Sequence, residues 1–353
     1  MTVYIIGWVL MALAIGAWST SGRYPQGSIA CVLIYCGFIA FFRGSVGTDT
    51  ESYETTFAAV AMGNQDWLFE GGFSVVASVL VAICPSPEIA VRAVSVMFVG
   101  LLGIYAVRAT SEEKWMLLCY LLPVFAYQYS MNALRIGLAS ALLLLCAQGL
   151  RRRLSTGNQL SMLAPVTIHY STVVSVCLVL VSASMRSVRQ NVVALTIGGA
   201  ATIGLFIFAN DYLFAKSDTY QEMLAPTLVS GTAKVAVLLI LGAGVVLGDL
   251  KLGPKCLLLL PYGLLALIGV LITRESYAGL RLLDLLSFAF PVSALLAYQR
   301  MGLSTDKRYM MAVLLAGCIG AVGVGRNFQA SSGEEAAPWV PYHFISLKDS
   351  IWN

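Results

Sequence analysis

Four arginines sit at the edges of apolar runs in this sequence. Arg43 closes one run, and Arg135 opens another inside Ser130-Met131-Asn132-Ala133-Leu134-Arg135. Arg274 and Arg281 bracket the stretch Arg274-Glu275-Ser276-Tyr277-Ala278-Gly279-Leu280-Arg281. A cation close to hydrocarbon is costly unless it is paired or faces water, so each marks a place where chemistry could occur. The planar guanidinium fork matches phosphate and carboxylate oxygens bidentately. A cluster of such groups suits an anionic, lipid-linked substrate, and the competing reading is interfacial snorkelling of long side chains. Arg92, four residues after Glu88, reads as a structural i,i+4 pair. Asp284, three residues after Arg281 on one helix face, either neutralises that arginine or belongs to a site.

Two groups could move a proton. Asp49 lies in Val46-Gly47-Thr48-Asp49-Thr50, where glycine permits a tight turn and Thr-Asp is a common helix N-cap. Its carboxylate could equally act as a general base on a sugar hydroxyl. His169, one of 2 histidines, is followed by Tyr-Ser-Thr within an apolar stretch broken by Pro165; near neutral pH it could accept a proton or donate to a phosphate. A lone histidine in such a stretch is more often a satisfied core residue. The tail Pro338-Trp339-Val340-Pro341-Tyr342-His343-Phe344 reads as an interfacial aromatic anchor or as a platform for stacking sugar rings.

The elements that must position these residues are membrane helices. The 353-residue chain is 58% hydrophobic and 11% charged, with a mean hydropathy of +0.81. Soluble domains carry about 25% charged residues, so this chain must be integral to a membrane. Apolar runs of near-spanning length indicate an all-α polytopic bundle; barrel strands would alternate with period two. Candidate spans are 3–18, 28–42, 88–108, 114–131, 134–150, 191–208, 230–248, 256–273, 281–299 and 309–325. With re-entrant segments, about 10–12 helical crossings or partial crossings are expected, forming a single membrane domain over 1–353. Val3–Trp18 lacks a basic leader and a cleavage site, so it is read as a retained helix. The net charge of +4 is small, and clusters such as Arg151-Arg152-Arg153 set topology rather than bind nucleic acid. Eight scattered cysteines without CxxC or Cys/His metal spacing read as buried thiols.

The positive-inside rule places Arg151–Arg153, Arg186/Arg189, Lys251/Lys255 and Lys307/Arg308 on the cytoplasmic side. Residues 160–185 then enter and return as a re-entrant hairpin with His169 near its tip, or else form one ordinary helix with two stray arginines outside. Residues 71–84 are too few for a span. Treating them as re-entrant puts 43–70 outside; treating them as a span puts 43–70 in the cytoplasm. Within 50–62, Tyr53, Phe57 and Val60 fall at helical spacing with Glu51 and Glu54 elsewhere, which predicts an amphipathic helix on the membrane surface. The outer face would also hold Met131–Arg135, Asn210–Ser230, Thr273–Arg281 and the tail 326–353.

Several of these stretches resemble the motifs of one family. Arg43-Gly44-Ser45-Val46-Gly47-Thr48-Asp49-Thr50-Glu51-Ser52-Tyr53 resembles its R-x-x-V-G-T-D-x-x-x-Y signature, and Leu68-Phe69-Glu70-Gly71-Gly72-Phe73 resembles the glutamate-bearing start of its next apolar stretch. Asn132 to Ala139 resembles N-x-x-R-Q-x-x-A, Ile168-His169-Tyr170-Ser171 resembles I-H-x-S, and Trp339-Val340-Pro341-Tyr342 resembles W-x-P-Y. The motifs occur in family order from residue 43 to 342. Ile136 stands where glutamine is usual, and Tyr170 where proline or lysine is frequent. This pattern resembles the EpsG-like group of Wzy-type polysaccharide polymerases, related to GT-C membrane glycosyltransferases.

The resemblance implies an enzyme that joins undecaprenyl-pyrophosphate-linked oligosaccharide repeats on the periplasmic face of the inner membrane. It favours 43–70 outside. Donor and acceptor would both be lipid-linked glycans, with membrane lipids and a Wzz-type chain-length regulator as partners. On this basis Arg43, Arg135, Arg274 and Arg281 hold the pyrophosphate charge and Asp49 takes the acceptor proton while His169 binds pyrophosphate, or the reverse. Tyr53, Glu70, Asn132 and Tyr342 contact sugars. No DxD is present, so no metal or other cofactor is expected. A lipid-oligosaccharide flippase would show two similar halves, and an O-antigen ligase a large outer loop; neither is evident. A membrane acyltransferase would set its histidine among acidic residues, which His169 lacks in sequence.

Overall fold

The computed structural model describes residues 1–21, 26–63, 70–185, 192, 196–200, 203, 231–330 and 339–345. Among them the chain is all-helical. The helices are α1 (Thr2–Ser21), α2 (Gln26–Phe41), α3 (Thr50–Ala61), α4 (Gly71–Ile83), α5 (Pro87–Arg108), α6 (Ser111–Met116), α7 (Leu122–Met131) and α8 (Leu134–Arg152). There follow α9 (Thr156–Leu160), α10 (Ala164–Ile168), α11 (Val173–Ser184), α12 (Thr232–Leu247), α13 (Leu252–Thr273), α14 (Tyr277–Arg300) and α15 (Lys307–Ala330). An isolated antiparallel bridge pairs Arg43 with Phe344.

Six described helices, namely α1, α5, α8, α13, α14 and α15, are long and apolar enough to cross a membrane. This is a multi-pass membrane protein. The expected spans 28–42 and 230–248 form the 16-residue helices α2 and α12. The span expected over 114–131 is helical throughout: α6 continues into α7 through a π-helical turn, Leu117–Leu121. Pro123 lies just beyond it and lacks the N–H that would continue regular i→i−4 bonding. The expected span 191–208 and the outer segment Asn210–Ser230 fall almost wholly outside the described residues.

Local chemistry accounts for the boundaries. Ser86 caps α5 through its side chain, with Pro87 at the first helical position. Thr110 and Glu113 close a reciprocal capping box at the start of α6. With 13 residues, α4 is roughly 20 Å long at 1.5 Å per residue. It is therefore shorter than the ~30 Å hydrocarbon layer. Between 160 and 185 the chain is broken as the sequence suggests: α10 ends at Ile168, His169 is non-helical, and a 3₁₀ turn (Tyr170–Thr172) leads into α11.

The chain groups into two compact units. The first comprises Met1–Leu142, Thr167–His169 and Ala321–Asn353; the second comprises Leu143–Val166 and Tyr170–Gly320. In the first unit, buried Tyr53, Phe57, Phe73, Ala77, Ala90, Val91, Val94, Leu134 and Leu138 form one apolar core. Here α3 departs from expectation. Its apolar face, with Tyr53, Phe57 and Val60 buried as the spacing predicts, packs on protein rather than being left for a lipid surface; the Phe57 and Phe73 rings lie 6.1 Å apart. In the second unit α13 and α14 pack along each other, joined by a hydrogen bond between the Tyr262 hydroxyl and Ser293 Oγ at 2.8 Å.

Candidate functional site

The site grows from Glu70, which precedes α4 with an extended backbone (φ −90°, ψ 113°). Its side chain is 1% exposed, and Oε2 accepts a 2.6 Å bond from Arg135 Nη1 in the first turn of α8. Oε1 lies 3.0 Å from His169 Nδ1 at the break after α10. Three motifs far apart in sequence thus meet on one carboxylate. Burial acts to raise the Glu70 carboxyl, but the hydrogen bond from His169 and the charge of Arg135 outweigh it and hold the group at about 2. The Arg135 guanidinium also lies over the Tyr53 ring, 5.9 Å from its centroid.

Chemically, this arrangement orients two cationic groups. An ionised Glu70 favours the proton on His169 Nδ1 and supports the imidazolium form. Arg135 and His169 keep side-chain exposures of 24% and 16%, so both reach the edge of the fold while Glu70 does not. Glu70, expected to contact sugar, is buried, with both of its oxygens engaged by Arg135 and His169. The pairing explains why His169 seemed to lack acidic company, since its carboxylate comes from 99 residues away.

Close packing allows the pairing. A β-carbon at residue 72 would lie 2.6 Å from Thr167 Oγ1 and 2.8 Å from the Thr167 carbonyl oxygen. Only glycine permits this approach of α4 to the segment that carries His169.

The Val46–Asp49 turn is held by the junction of α7 and α8. Asp49 sits at the N-cap of α3, where its carboxylate makes no cap hydrogen bond. Its backbone N–H donates instead to Asn132 Oδ1 at 2.7 Å. The capping expected of Asp49 from sequence is not found.

Of the other expected site residues, Arg43 and Tyr53 are buried, Tyr342 is half-buried, and Arg274 and Arg281 belong to the second unit. Arg43 is fully buried. Its Nη1 donates to the carbonyls of Ala40 (3.1 Å) and Ser130 (2.7 Å) and to Ser95 Oγ (2.9 Å). It ties α2, α5 and α7 together, and as placed it cannot touch a lipid pyrophosphate. Arg92 is structural, as expected, but its carboxylate partner is Glu54 at 3.0 Å; Glu88 contributes its backbone carbonyl at 2.7 Å. Tyr53 is 9% exposed within the core. The Tyr342 hydroxyl donates to the Ile39 carbonyl at 2.5 Å. Trp339 stacks on Phe328 with ring centroids 4.2 Å apart, so the tail's tryptophan serves packing rather than sugar binding.

In the second unit, Arg274 is exposed at the C-terminus of α13, and Arg281 is half-buried near the start of α14. Asp284 pairs with Lys234 at 2.7 Å. Sequence reasoning passed over Lys234; its place in the first turn of an apolar helix was the available signal. Lys234 Nζ also donates to the Leu280 carbonyl, so Lys234, Arg274 and Arg281 belong to one end of these helices. Lys255 and Arg308 bind the carbonyls of Val246 and Leu247 at the other end.

Fold and site define a polytopic, all-helical membrane protein with a buried carboxylate that orients an arginine and a histidine. The comparisons place it further: the EpsG family profile matches residues 28–344, nearly the whole chain, and the protein belongs to that family. EpsG is a Wzy-like polysaccharide polymerase family, which implies lipid-linked glycan substrates. No curated protein and no solved structure matches the chain.

Proposed function

We propose that this protein polymerises undecaprenyl-pyrophosphate-linked oligosaccharide repeats into a surface polysaccharide at the periplasmic face of the bacterial inner membrane. The observation that carries this reading is the shared carboxylate: Glu70 presents Arg135 and His169 side by side. A pyrophosphate leaving group develops negative charge on its oxygens as the anomeric carbon becomes oxocarbenium-like. Arg135 and the His169 imidazolium would hold that charge, aimed in advance by Glu70. The bond from the anomeric carbon to the phosphate oxygen breaks, and a new bond forms to an acceptor hydroxyl oxygen. That hydroxyl's proton passes to Asp49, whose carboxylate is not spent on its helix cap. The donor's lipid pyrophosphate departs, and the lengthened glycan remains on the acceptor's lipid.

The outward orientation rests on charge. The positive-inside rule assigns the end of α12, α13 and α15 that bears Lys255 and Arg308 to the cytoplasm. Lys234, Arg274 and Arg281 then face outward, where Arg274 and Arg281 remain proposed contacts for anionic substrate. Transfer without a metal is part of the same proposal, as is a Wzz-type chain-length partner acting on the product.

The test is reconstitution. Purified protein given a defined lipid-linked repeat, with no nucleotide and with EDTA present, should yield a ladder of products on the lipid. Transport of the repeat across a vesicle without a ladder would support a flippase instead. A ladder abolished by EDTA and restored by a divalent cation would remove the metal-free step.

A further inference from the structure

Asn132 was expected to contact sugar, and its surroundings assign it different work. It lies between α7 and α8 with φ −120° and ψ −71°, and is 7% exposed. Its Oδ1 accepts two bonds from the turn before α3: the Asp49 backbone N–H at 2.7 Å and Thr48 Oγ1 at 3.1 Å. Gly47 makes this docking possible. Its φ is +96°, and a β-carbon there would lie 3.0 Å from the Met131 carbonyl oxygen and 3.3 Å from Asn132 Oδ1. The turn therefore rests directly on the junction between the two helices.

The consequence falls on Asp49. A Thr-Asp pair before a helix ordinarily takes an extended backbone, and the carboxylate folds back onto the amides of the first turn. Asp49 instead has φ −95° and ψ −2° and makes no such bond. Asn132 holds the Asp49 backbone from outside, and the carboxylate accepts from Thr48 Oγ1 at 3.4 Å rather than from the amides of the α3 cap. Asn132 stands in the turn that leads into α8, three residues before Arg135, so the group that anchors the Asp49 backbone lies close along the chain to the group that anchors Glu70.

We propose that Asn132 is a positioning residue for Asp49, keeping its carboxylate off the α3 cap and in register with Arg135 for proton transfer from the acceptor hydroxyl. This rests on Asp49 being the base in the reading above. Misplacing a reacting group by about 1 Å can cost on the order of 10²-fold in rate, whereas a residue that never touches substrate leaves substrate binding unchanged.

The test uses the full-length protein in nanodiscs with a lipid-linked repeat, comparing N132A, N132D, G47A and D49N by ladder kinetics and thermal midpoint. N132A should lower kcat by at least about tenfold, with KM for the repeat within about twofold of wild type. N132D should recover most of the loss, because a carboxylate oxygen can accept the same two bonds. If N132A does not fold, G47A reads the same contact from the opposite side, with the same criterion. A rise in KM at unchanged kcat would show that Asn132 touches sugar and overturn the proposal. Inactive D49N beside fully active N132A would overturn the positioning role while leaving the base intact. Fully active D49N would remove the base assignment and the positioning role with it.

Discussion

Gly72 and Thr167 pack so closely that a β-carbon on residue 72 would sit 2.6 Å from the threonine hydroxyl oxygen and 2.8 Å from its carbonyl oxygen. Two residues away on either side stand Glu70 and His169, 3.0 Å apart. The glycine contact and the ion pair are thus one piece of geometry: backbone approach brings the charges together.

That link makes the sign of one substitution informative. Alanine is favoured over glycine within a helix by about 1 kcal/mol, so G72A would stabilise α4 if local propensity decided. The clash with backbone atoms should decide instead. We expect G72A to lower the thermal midpoint and to reduce polymerisation by at least about tenfold, since overpacking a tight contact typically costs 1–3 kcal/mol. A midpoint at or above wild type with full activity would show that α4 and the His169 segment can separate harmlessly.

Glu70 predicts an acid limit. Its carboxyl titrates near 4.3 in an unfolded chain and at about 2 in the fold. A depressed carboxylate contributes stability that is present above the unfolded value and is lost as pH falls through the folded one. A shift of this size corresponds to roughly 3 kcal/mol. The thermal midpoint of wild type should therefore fall between about pH 4.5 and 2 beyond what other carboxylates cause. E70Q should be less stable at neutral pH and should show a shallower fall across that window. Parallel pH curves for the two proteins would mean that the pairing with Arg135 and His169 carries no net stability.

The fold was legible where periodicity and composition suffice. The 50–62 pattern announced α3 with Tyr53, Phe57 and Val60 on one apolar face, though not that protein would cover that face, and the break at His169 followed from Pro165 and the polar residues beside it. What sequence could not show is which distant groups meet. Glu70 and His169, or Asp49 and Asn132, are joined only by how α4, α8 and the α10 break pack, and no local signal encodes that. Arg43 misled for a related reason. An arginine at a membrane edge looks the same in sequence whether it faces substrate or binds the carbonyls of neighbouring helix ends, and here it does the latter. Pairing rules based on spacing also missed Lys234 as the partner of Asp284.

Arg135 should separate charge from shape. R135A removes a partner of a buried carboxylate, so both activity and stability should fall; loss of a buried pair's partner typically costs about 3–5 kcal/mol. R135K restores a positive charge but not the fork, and a lysine cannot bind one carboxylate and a phosphate through two parallel edges. We expect R135K to keep most of its stability and to lose at least about tenfold in kcat, read as ladder growth at saturating repeat. Wild-type chain length in R135A would exclude the arginine from the reaction.

Arg43 should behave in the opposite way. It is fully buried, with Nη1 bridging Ala40, Ser95 and Ser130, while Nε and Nη2 find no partner among the described residues. R43M would leave those acceptors unsatisfied, at about 1–3 kcal/mol for each buried group so orphaned. It would also relieve a buried charge and two unmatched donors, so the net loss should be moderate, on the order of 2 kcal/mol. The measurement that decides is activity per folded molecule. After correction for the folded fraction by size-exclusion yield and thermal midpoint, R43M should retain kcat and KM for the lipid-linked repeat within about threefold of wild type. A folded R43M with a greatly raised KM would return Arg43 to the substrate. The structural assignment predicts lower yield with little change in the kinetics of the molecules that fold.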